Sequence, residues 1–206
     1  MINTSSDTTT EVKRRLAMAR TSTQNMSNIW KSRGLSIQMK LRFLRATVFA
    51  IATYGCESWS LTKNDRKRID AFEMWCYRRL LRVSWKDKRT NIWVLEKICD
   101  KIVLLKNIRE RKLRYCGHVI RKNTSLEKQL IQGSVEGRRF RGRPITLWTD
   151  DIKWWVGYGL QVATNLVRDR MARRALIKTT AVPPGATWHK WMKNIGLLYF
   201  SLRHFC

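Results

Sequence analysis

Apolar side chains recur every three or four residues along most of this chain, with basic residues between them. That period is typical of amphipathic α-helices. The pattern predicts one helix at 11–33, ended by Gly34, and a second at 36–54, with Ser36 as its N-cap. A mainly α fold follows, with β structure limited to a short turn or hairpin near 131–135.

A capping-box pattern, Thr62-x-x-Asp65, opens a third predicted helix, which runs to about Leu81. In this motif the first side chain and the fourth satisfy each other's backbone N–H groups, so it marks a helix start. Further helical segments are predicted at 90–100, 102–118, 149–155 and 160–177.

Composition divides the chain into five parts. Residues 1–9 form a polar Ser/Thr-rich leader and residues 133–144 form an Arg/Gly-rich linker, and neither has an apolar face to bury. We therefore predict a disordered leader, a helical domain at 10–132, a basic linker, a small helical unit at 145–178 and a divergent tail at 179–206.

Charge narrows the class of partner. The 206 residues include 42 Lys+Arg and 15 Asp+Glu, a formal net charge of +27. Nucleic acid is the expected partner, because each phosphate contact releases condensed counterions. A membrane surface fits less well, since the basic residues run through every segment and no apolar run approaches the roughly 20 residues needed to span a bilayer.

The N-terminus lacks the apolar run of a secretory signal, so we expect a nuclear or cytoplasmic protein that is not secreted. Five cysteines are odd in number and stand among apolar neighbours, which is typical of buried free thiols. We predict no disulfide bond and no cofactor.

Lys and Arg side chains that lie off the apolar stripes of the second, third and long central helices, and those of the linker, are the predicted phosphate contacts. They are Lys40, Arg42, Arg45, Arg66, Arg68, Arg78, Arg79, Arg111, Lys112, Arg114, Arg138, Arg139, Arg141 and Arg143. Aromatic rings interleaved with them, as at 75–79 and 154–155, either stack on unpaired bases or belong to the core.

The linker run from Arg138 to Pro144 resembles an AT-hook, whose arginines enter a narrow A·T-rich minor groove. A single copy fits general phosphate contact or a solvated linker better than specific groove binding. The pattern nevertheless leaves all three open.

Two groups of residues suggest a metal-binding site, but each has a simpler explanation. Cys116-Gly117-His118 with Cys99 lacks the paired spacing of a zinc site, and Gly117 is expected to end a helix instead. Adjacent Asp150 and Asp151 look like the metal-binding pair of a polymerase, but they precede an apolar helical pattern, where acidic residues favour a helix N-terminus. We assign no metal site and no catalytic residue.

Several runs, in order, resemble the region that follows the palm in non-LTR retrotransposon (LINE-like) endonuclease-reverse transcriptases. They are 44–61, 69–79, 111–121, 137–144, 148–154 and 169–170, and the resemblance extends over about residues 11–174. It implies a helical thumb-like bundle, followed by the linker and the small unit, which grips the template-primer duplex.

The resemblance does not cover the catalytic palm, the fingers or the endonuclease, so it implies a nucleic-acid-binding fragment that is not a polymerase by itself. The missing palm and fingers would be its protein partner. The alternative is a translated, non-functional relic of a degenerate element, since the tail from Thr179 departs from the family pattern.

Overall fold

The computed structural model describes residues 8–98, 103–122, 125–132 and 147–179, and all regular structure in these ranges is helical. The α-helices are α1 Thr8–Asn25, α2 Ser27–Lys31, α3 Ile37–Ala46, α4 Val48–Ala52, α5 Lys63–Leu81, α6 Asn91–Ile98, α7 Leu104–Arg121, α8 Leu126–Gln132, α9 Trp148–Val156, α10 Leu160–Arg168 and α11 Arg170–Thr179. Short 3₁₀ turns lie at Cys56–Ser58 and Trp85–Asp87. The predicted mainly α fold is confirmed.

Predicted and observed helices differ at two places near the ends of the linker and the leader. The suggested β turn near 131–135 is wrong for residues 131 and 132, which end α8, and residues 133–135 lie outside the described ranges. Thr8 and Thr9, predicted to belong to the disordered leader, begin α1, and the Thr9 hydroxyl donates to Asp65 Oδ2 at 3.0 Å. Residues 1–7 and the tail from 180 to 206 also lie outside the described ranges.

The predicted single helix at 11–33 is broken at Met26, between α1 and α2. The break brings the Trp30 indole N–H to the Thr23 carbonyl oxygen at 2.7 Å. In a straight helix two residues seven apart are separated by about 10 Å along the axis, too far for this bond. The bend also buries Trp30, which is 2% exposed. Gly34 does not end the helix, because α2 already stops at Lys31.

The predicted helices at 36–54 and 160–177 are each interrupted by one polar residue. The Thr47 hydroxyl donates to the Phe43 carbonyl oxygen at 2.7 Å, a side-chain bond that bends helices, and α3 gives way to α4 there. Asp169 accepts from the backbone N–H groups of Met171 and Ala172 at 2.9 and 3.3 Å, and so starts α11.

Helix starts were predicted correctly where the capping side chain lies within three residues of the N–H group that it satisfies. Ser36 accepts from the Met39 N–H at 3.2 Å, and the capping box of Thr62 and Asp65 is complete. Asp150 and Asp151 lie in the first turn of α9, as the helix-dipole argument predicts.

Two hydrophobic clusters form the core, and α7 belongs to both. Its first turns contribute Leu104 and Ile108 to a cluster with α1 to α6. Its later turns contribute Leu113, Cys116 and Ile120 to a cluster with α9 and α10. The segment at 145–178 therefore shares its buried side chains with α7, and its described helices do not have a separate core.

Gly117 is the residue that permits this packing. It lies inside α7, so the prediction that it ends a helix is wrong. A Cβ at this position would lie 2.5 Å from the Val167 carbonyl oxygen and 2.6 Å from Arg173 Nη1. Only glycine lets the backbone of α10 approach so closely.

Asp70 on α5 carries a buried oxygen, Oδ1, that has no hydrogen-bond partner. Burial, and then the neighbouring Glu73 carboxylate, raise the pKa of Asp70 to about 7. Between about pH 4 and pH 7 the folded chain therefore binds a proton that the unfolded chain has lost, so this group makes stability fall as pH rises through that window.

We expect Asp70→Asn to raise the free energy of unfolding at pH 8 by about 2 kcal/mol, because the uncharged amide replaces a carboxylate that is ionised there with little solvation. Urea unfolding at pH 8, 6 and 4 should show the gain shrinking steadily as pH falls. A gain of equal size at all three values would mean that the titration of Asp70 is not its origin.

Candidate nucleic-acid interface

Four side chains of α7 form a stripe: Arg111, Arg114, His118 and Arg121, spaced three or four residues apart. Such spacing places them on one face of a helix. Arg114 and His118 are exposed, whereas the opposite face of α7 carries Lys112, Leu113 and Cys116 into the core. The helix thus presents an apolar face to the protein and a basic face to solvent.

A second wall faces this stripe, formed by Ala50, Tyr54, Gly55 and Glu57 at the end of α4 and the turn after it. Gly55 has a φ of 69°, a left-handed conformation that favours glycine and turns the chain toward α7. Arg111 Nη1 joins the two walls, because it donates to the Thr53 carbonyl oxygen at 3.0 Å and lies 3.3 Å from the Thr53 hydroxyl oxygen.

Together the two walls enclose an open groove of about 920 Å³, which we call the α7 groove; it is lined by Ala50, Tyr54, Gly55, Glu57, Arg111, Arg114, Tyr115, His118 and Arg121. Glu57 is the one acidic residue among these lining residues. Three arginines against one carboxylate leave the groove with excess positive charge, which attracts polyanions.

Tyr54 and Tyr115 give the α7 groove exposed aromatic rings. The Arg15 guanidinium lies 4.5 Å from the centre of the Tyr54 ring, and Tyr115 packs edge-on against Trp148 with ring centres 6.2 Å apart. Trp148 is itself held by its indole N–H, which donates to the Glu57 carbonyl oxygen at 2.7 Å. Rings fixed in this way beside guanidinium groups are what stacking on bases or sugars requires.

Beneath the groove, Lys112 and Asp151 form a buried ion pair with Nζ and Oδ2 2.6 Å apart. Lys112 Nζ also donates to the Trp59 carbonyl oxygen at 2.6 Å, and Asp151 accepts from Arg66 and from the Leu61 N–H at 2.7 and 3.1 Å. Burial lowers the pKa of Lys112, and Asp151 opposes that shift. This network joins α9 to α5 and α7 and holds Trp148 in place beside the groove.

The structure corrects two members of the predicted phosphate-contacting set. Lys112 is fully buried in the ion pair just described. Lys40 is 8% exposed, and its Nζ donates to the carbonyl oxygens of Trp30 and Ser32 at 3.0 and 2.7 Å, so it caps the end of α2. Both charges stabilise helix contacts and are not available to a phosphate.

Three other predicted arginines have protein partners and are not among the residues that line the α7 groove. Arg66 pairs with Asp151 and lies 4.1 Å from the centre of the Trp154 ring. Arg68 pairs with Asp65 at 3.0 Å. Arg78 donates to the Arg89 carbonyl oxygen and to Asn91 Oδ1 at 2.7 and 2.9 Å, which ties α5 to the start of α6.

Of the remaining predicted residues, Arg42, Arg45 and Arg79 are exposed on α3 and α5. Arg111 and Arg114 are the two that the fold brings into the α7 groove. The linker residues Arg138, Arg139, Arg141 and Arg143 lie outside the described residues, and so does the resemblance of that run to an AT-hook.

Sequence reasoning missed Tyr54, Tyr115, His118 and Arg121. The signal was present, because residues 111, 114, 118 and 121 form a basic stripe at helical spacing, on the face opposite Leu113, Cys116 and Ile120. Treating Gly117 as a helix end hid this stripe. The proximity of Tyr54 could not be read from the pattern, because it depends on how α4 packs beside α7.

The possible zinc cluster does not form among the described residues. Cys116 is buried and His118 is exposed, two positions apart on one helix, and no group of three or more His, Cys, Asp or Glu side chains in the described ranges could hold a metal. Cys56, Cys76 and Cys116 are buried free thiols as predicted, while Cys99 and Cys206 lie outside these ranges. Burial raises the pKa of the Cys116 thiol to about 12, so it stays protonated.

Asp150 and Asp151 serve the local structure of α9. Asp150 Oδ2 accepts from the Leu147 N–H at 2.8 Å, and both oxygens of Asp151 accept hydrogen bonds from Arg66, Lys112 and the Leu61 N–H.

None of the helices in the described ranges is long and apolar enough to cross a membrane. Comparison of the chain with protein-family models, with curated proteins and with solved structures gave no match.

Proposed function

We propose that this chain binds nucleic acid in the α7 groove and is the C-terminal, thumb-side part of a non-LTR retrotransposon reverse transcriptase. The observation that carries the proposal is the groove itself, where Arg111, Arg114 and Arg121 stand on one exposed helix face beside two exposed tyrosines. Guanidinium groups bind phosphates in a bidentate fashion and tyrosine rings stack on bases.

The length of the arginine stripe supports a nucleic-acid strand lying along α7. Arg111 and Arg121 are ten residues apart, which is about 15 Å along a helix, or the rise of about four base pairs. Three arginines over that span can contact phosphates of one strand, although their spacing is uneven. Tyr54 and Tyr115 would face the sugars or exposed base edges of the same strand.

The resemblance to the retrotransposon enzymes supports the same site. One wall of the groove lies within residues 111–121 and the other within residues 44–61, two of the runs that carry the resemblance. On this proposal the chain grips the template-primer duplex, and residues of a palm and fingers, absent from it, perform the polymerase chemistry. We assign no catalytic step to this chain.

The proposal predicts that removing two positive charges from the groove weakens nucleic-acid binding more than removing two exposed positive charges elsewhere. Arg114→Gln/Arg121→Gln removes two charges from the groove, whereas Arg33→Gln/Lys97→Gln removes two exposed charges elsewhere. Binding to duplex DNA, RNA–DNA hybrid and single strands is measured across a salt series. The groove variant should lose tenfold or more in affinity, and its slope against log salt should fall by about 2 relative to the unaltered chain.

The control variant should lose less affinity than the groove variant at every salt concentration. An Arg141→Ala/Arg143→Ala variant tests the linker in the same series. Preference for the hybrid would support a thumb-like grip on template and primer. Equal losses in the groove and control variants, with binding that ignores the form of the nucleic acid, would instead favour the non-functional relic.

A further inference from the structure

At the junction of α7, α10 and α11 one arginine is buried without a partner. Arg173 is 9% exposed, and its Nη1 atom is buried and makes no hydrogen bond. A buried guanidinium nitrogen without an acceptor is destabilising, because its hydration is lost and nothing replaces it. A ligand that accepts a hydrogen bond from this nitrogen would stabilise it, and no acceptor among the described residues does so.

Four arginines act on Arg173 with charge of its own sign: Arg114, Arg121, Arg170 and Arg174. Burial, and then these arginines, lower the pKa of Arg173. Arg121 Nη1 lies on the same side of α7, 3.2 Å from the point where a Cβ of Gly117 would be, and Arg173 Nη1 lies 2.6 Å from that point. Two guanidinium groups are thus held side by side.

The nearby carboxylate of the described residues makes its hydrogen bonds elsewhere, and one nearby carbonyl oxygen bonds to Arg121 instead of to Arg173. The carboxylate of Asp169 accepts from the N–H groups of Met171 and Ala172 at the start of α11. The Arg168 carbonyl oxygen accepts one hydrogen bond from Arg121 Nη1, at 3.2 Å. Several like charges around a buried, unsatisfied donor form an arrangement that an oxyanion would stabilise.

We propose that Arg173, with Arg121 and Arg114, forms a phosphate-binding site at this junction. The ligand is a phosphate group with at least two free oxygens for the paired guanidinium groups. Because Arg114 and Arg121 also line the α7 groove, the site lies at its edge, and a backbone phosphate of a bound strand is the source that the geometry favours. That source, though not the site, rests on the proposed function.

The test uses the full chain, inorganic phosphate as the probe and sodium chloride of equal ionic strength as the reference. Phosphate at several times its Kd should raise the Tm of the unaltered chain by about 2 to 4 °C. Arg173→Gln should abolish this rise and Arg121→Gln should reduce it. The matched control Arg33→Gln, at an exposed position outside the cluster, should leave it intact.

Without phosphate, Arg173→Gln should have an unchanged or higher Tm, because it removes a buried charge that has no partner. A lower Tm in chloride alone would show that the guanidinium has a structural partner and would overturn the proposal. So would a phosphate response that is the same in the unaltered chain and in Arg173→Gln.

Binding to the RNA–DNA hybrid, measured on the same variants, separates this inference from the proposed function. A salt slope reduced by about 1 in Arg173→Gln would support a backbone phosphate as the ligand. A phosphate-dependent rise in Tm without any nucleic-acid binding would support the site for a free phosphate and count against the proposed function. Nucleic-acid binding with no phosphate response and an unchanged slope would overturn the site alone.

Discussion

Asp151→Ala should lower the free energy of unfolding by about 3 to 5 kcal/mol. The substitution leaves the ammonium of Lys112, which is fully buried, without its carboxylate partner, and it also removes the partner of Arg66. The N–H of Leu61 loses its acceptor as well. Because a domain of this size is stable by only about 5 to 15 kcal/mol, the change is a large fraction of the total.

Urea unfolding followed by circular dichroism measures this loss, with Asp150→Ala as the matched control. Asp150 is the preceding residue, its side chain is 40% exposed, and its main role is to accept from the Leu147 N–H. Its removal should lower stability by about 1 kcal/mol, the value of a helix cap. Equal losses at positions 150 and 151 would contradict the assigned burial of the ion pair.

A double variant shows whether the loss of stability comes from the broken ion pair or from the cavity that a smaller side chain leaves. Lys112→Met/Asp151→Leu removes both charges and keeps apolar volume, so it should lose much less stability than the single variants Lys112→Met and Asp151→Leu added together. Strict additivity of the two single losses would mean that Lys112 and Asp151 do not interact in the folded chain.

Glu73→Ala should lower the free energy of unfolding by about 3 kcal/mol. Glu73 lies on α5 and is fully buried, and its carboxylate accepts from the N–H groups of Val103 and Leu104 at 2.7 and 2.9 Å. The Tyr77 hydroxyl donates to the same carboxylate at 2.7 Å. The carboxylate therefore accepts from the first N–H groups of α7 and interacts favourably with the positive end of the helix dipole.

Equilibrium unfolding measures the global loss, and amide hydrogen exchange at Val103 and Leu104 reports the loss of the cap directly. Glu73→Gln keeps the size of the side chain but turns an amide N–H₂ toward one of the donors, so we expect it to retain only part of the stability. Glu110→Ala removes a carboxylate from α7 that pairs with Lys106 at 3.9 Å across the exposed surface, and it should lose less than about 0.5 kcal/mol. An unchanged exchange rate at the start of α7 in Glu73→Ala would rule out the capping role.

Both residues act on α7, the helix that carries the basic side of the groove. Asp151 holds α9 against α7, and so keeps Trp148 of α9 packed against the Tyr115 ring of α7. Glu73 holds the first turn of α7 against α5. We therefore expect variants at either position to weaken nucleic-acid binding only as far as they unfold the chain, whereas Arg114→Gln/Arg121→Gln should weaken binding with little loss of stability.

Local patterns alone were enough for the helical class of this protein and for several of its helix starts. Ser36, the pair Thr62 and Asp65, and the acidic start of α9 act through hydrogen bonds between residues three apart, so the chain needs no tertiary contact to specify them. The apolar stripes of α3, α5 and α7 were likewise evident from spacing, because burial follows the helical period.

Tertiary structure decided where the helices break and which charges are buried. The helix breaks at Met26, where the bend buries the Trp30 indole in the core, and Gly117 lies inside α7, where its missing side chain lets α10 pack directly upon the helix. Lys112 and Asp151 are 39 residues apart in sequence, so neither one reveals from its neighbours that it has a partner. The free energy of a buried charge depends on such distant partners, and only the packed helices bring them within hydrogen-bond distance.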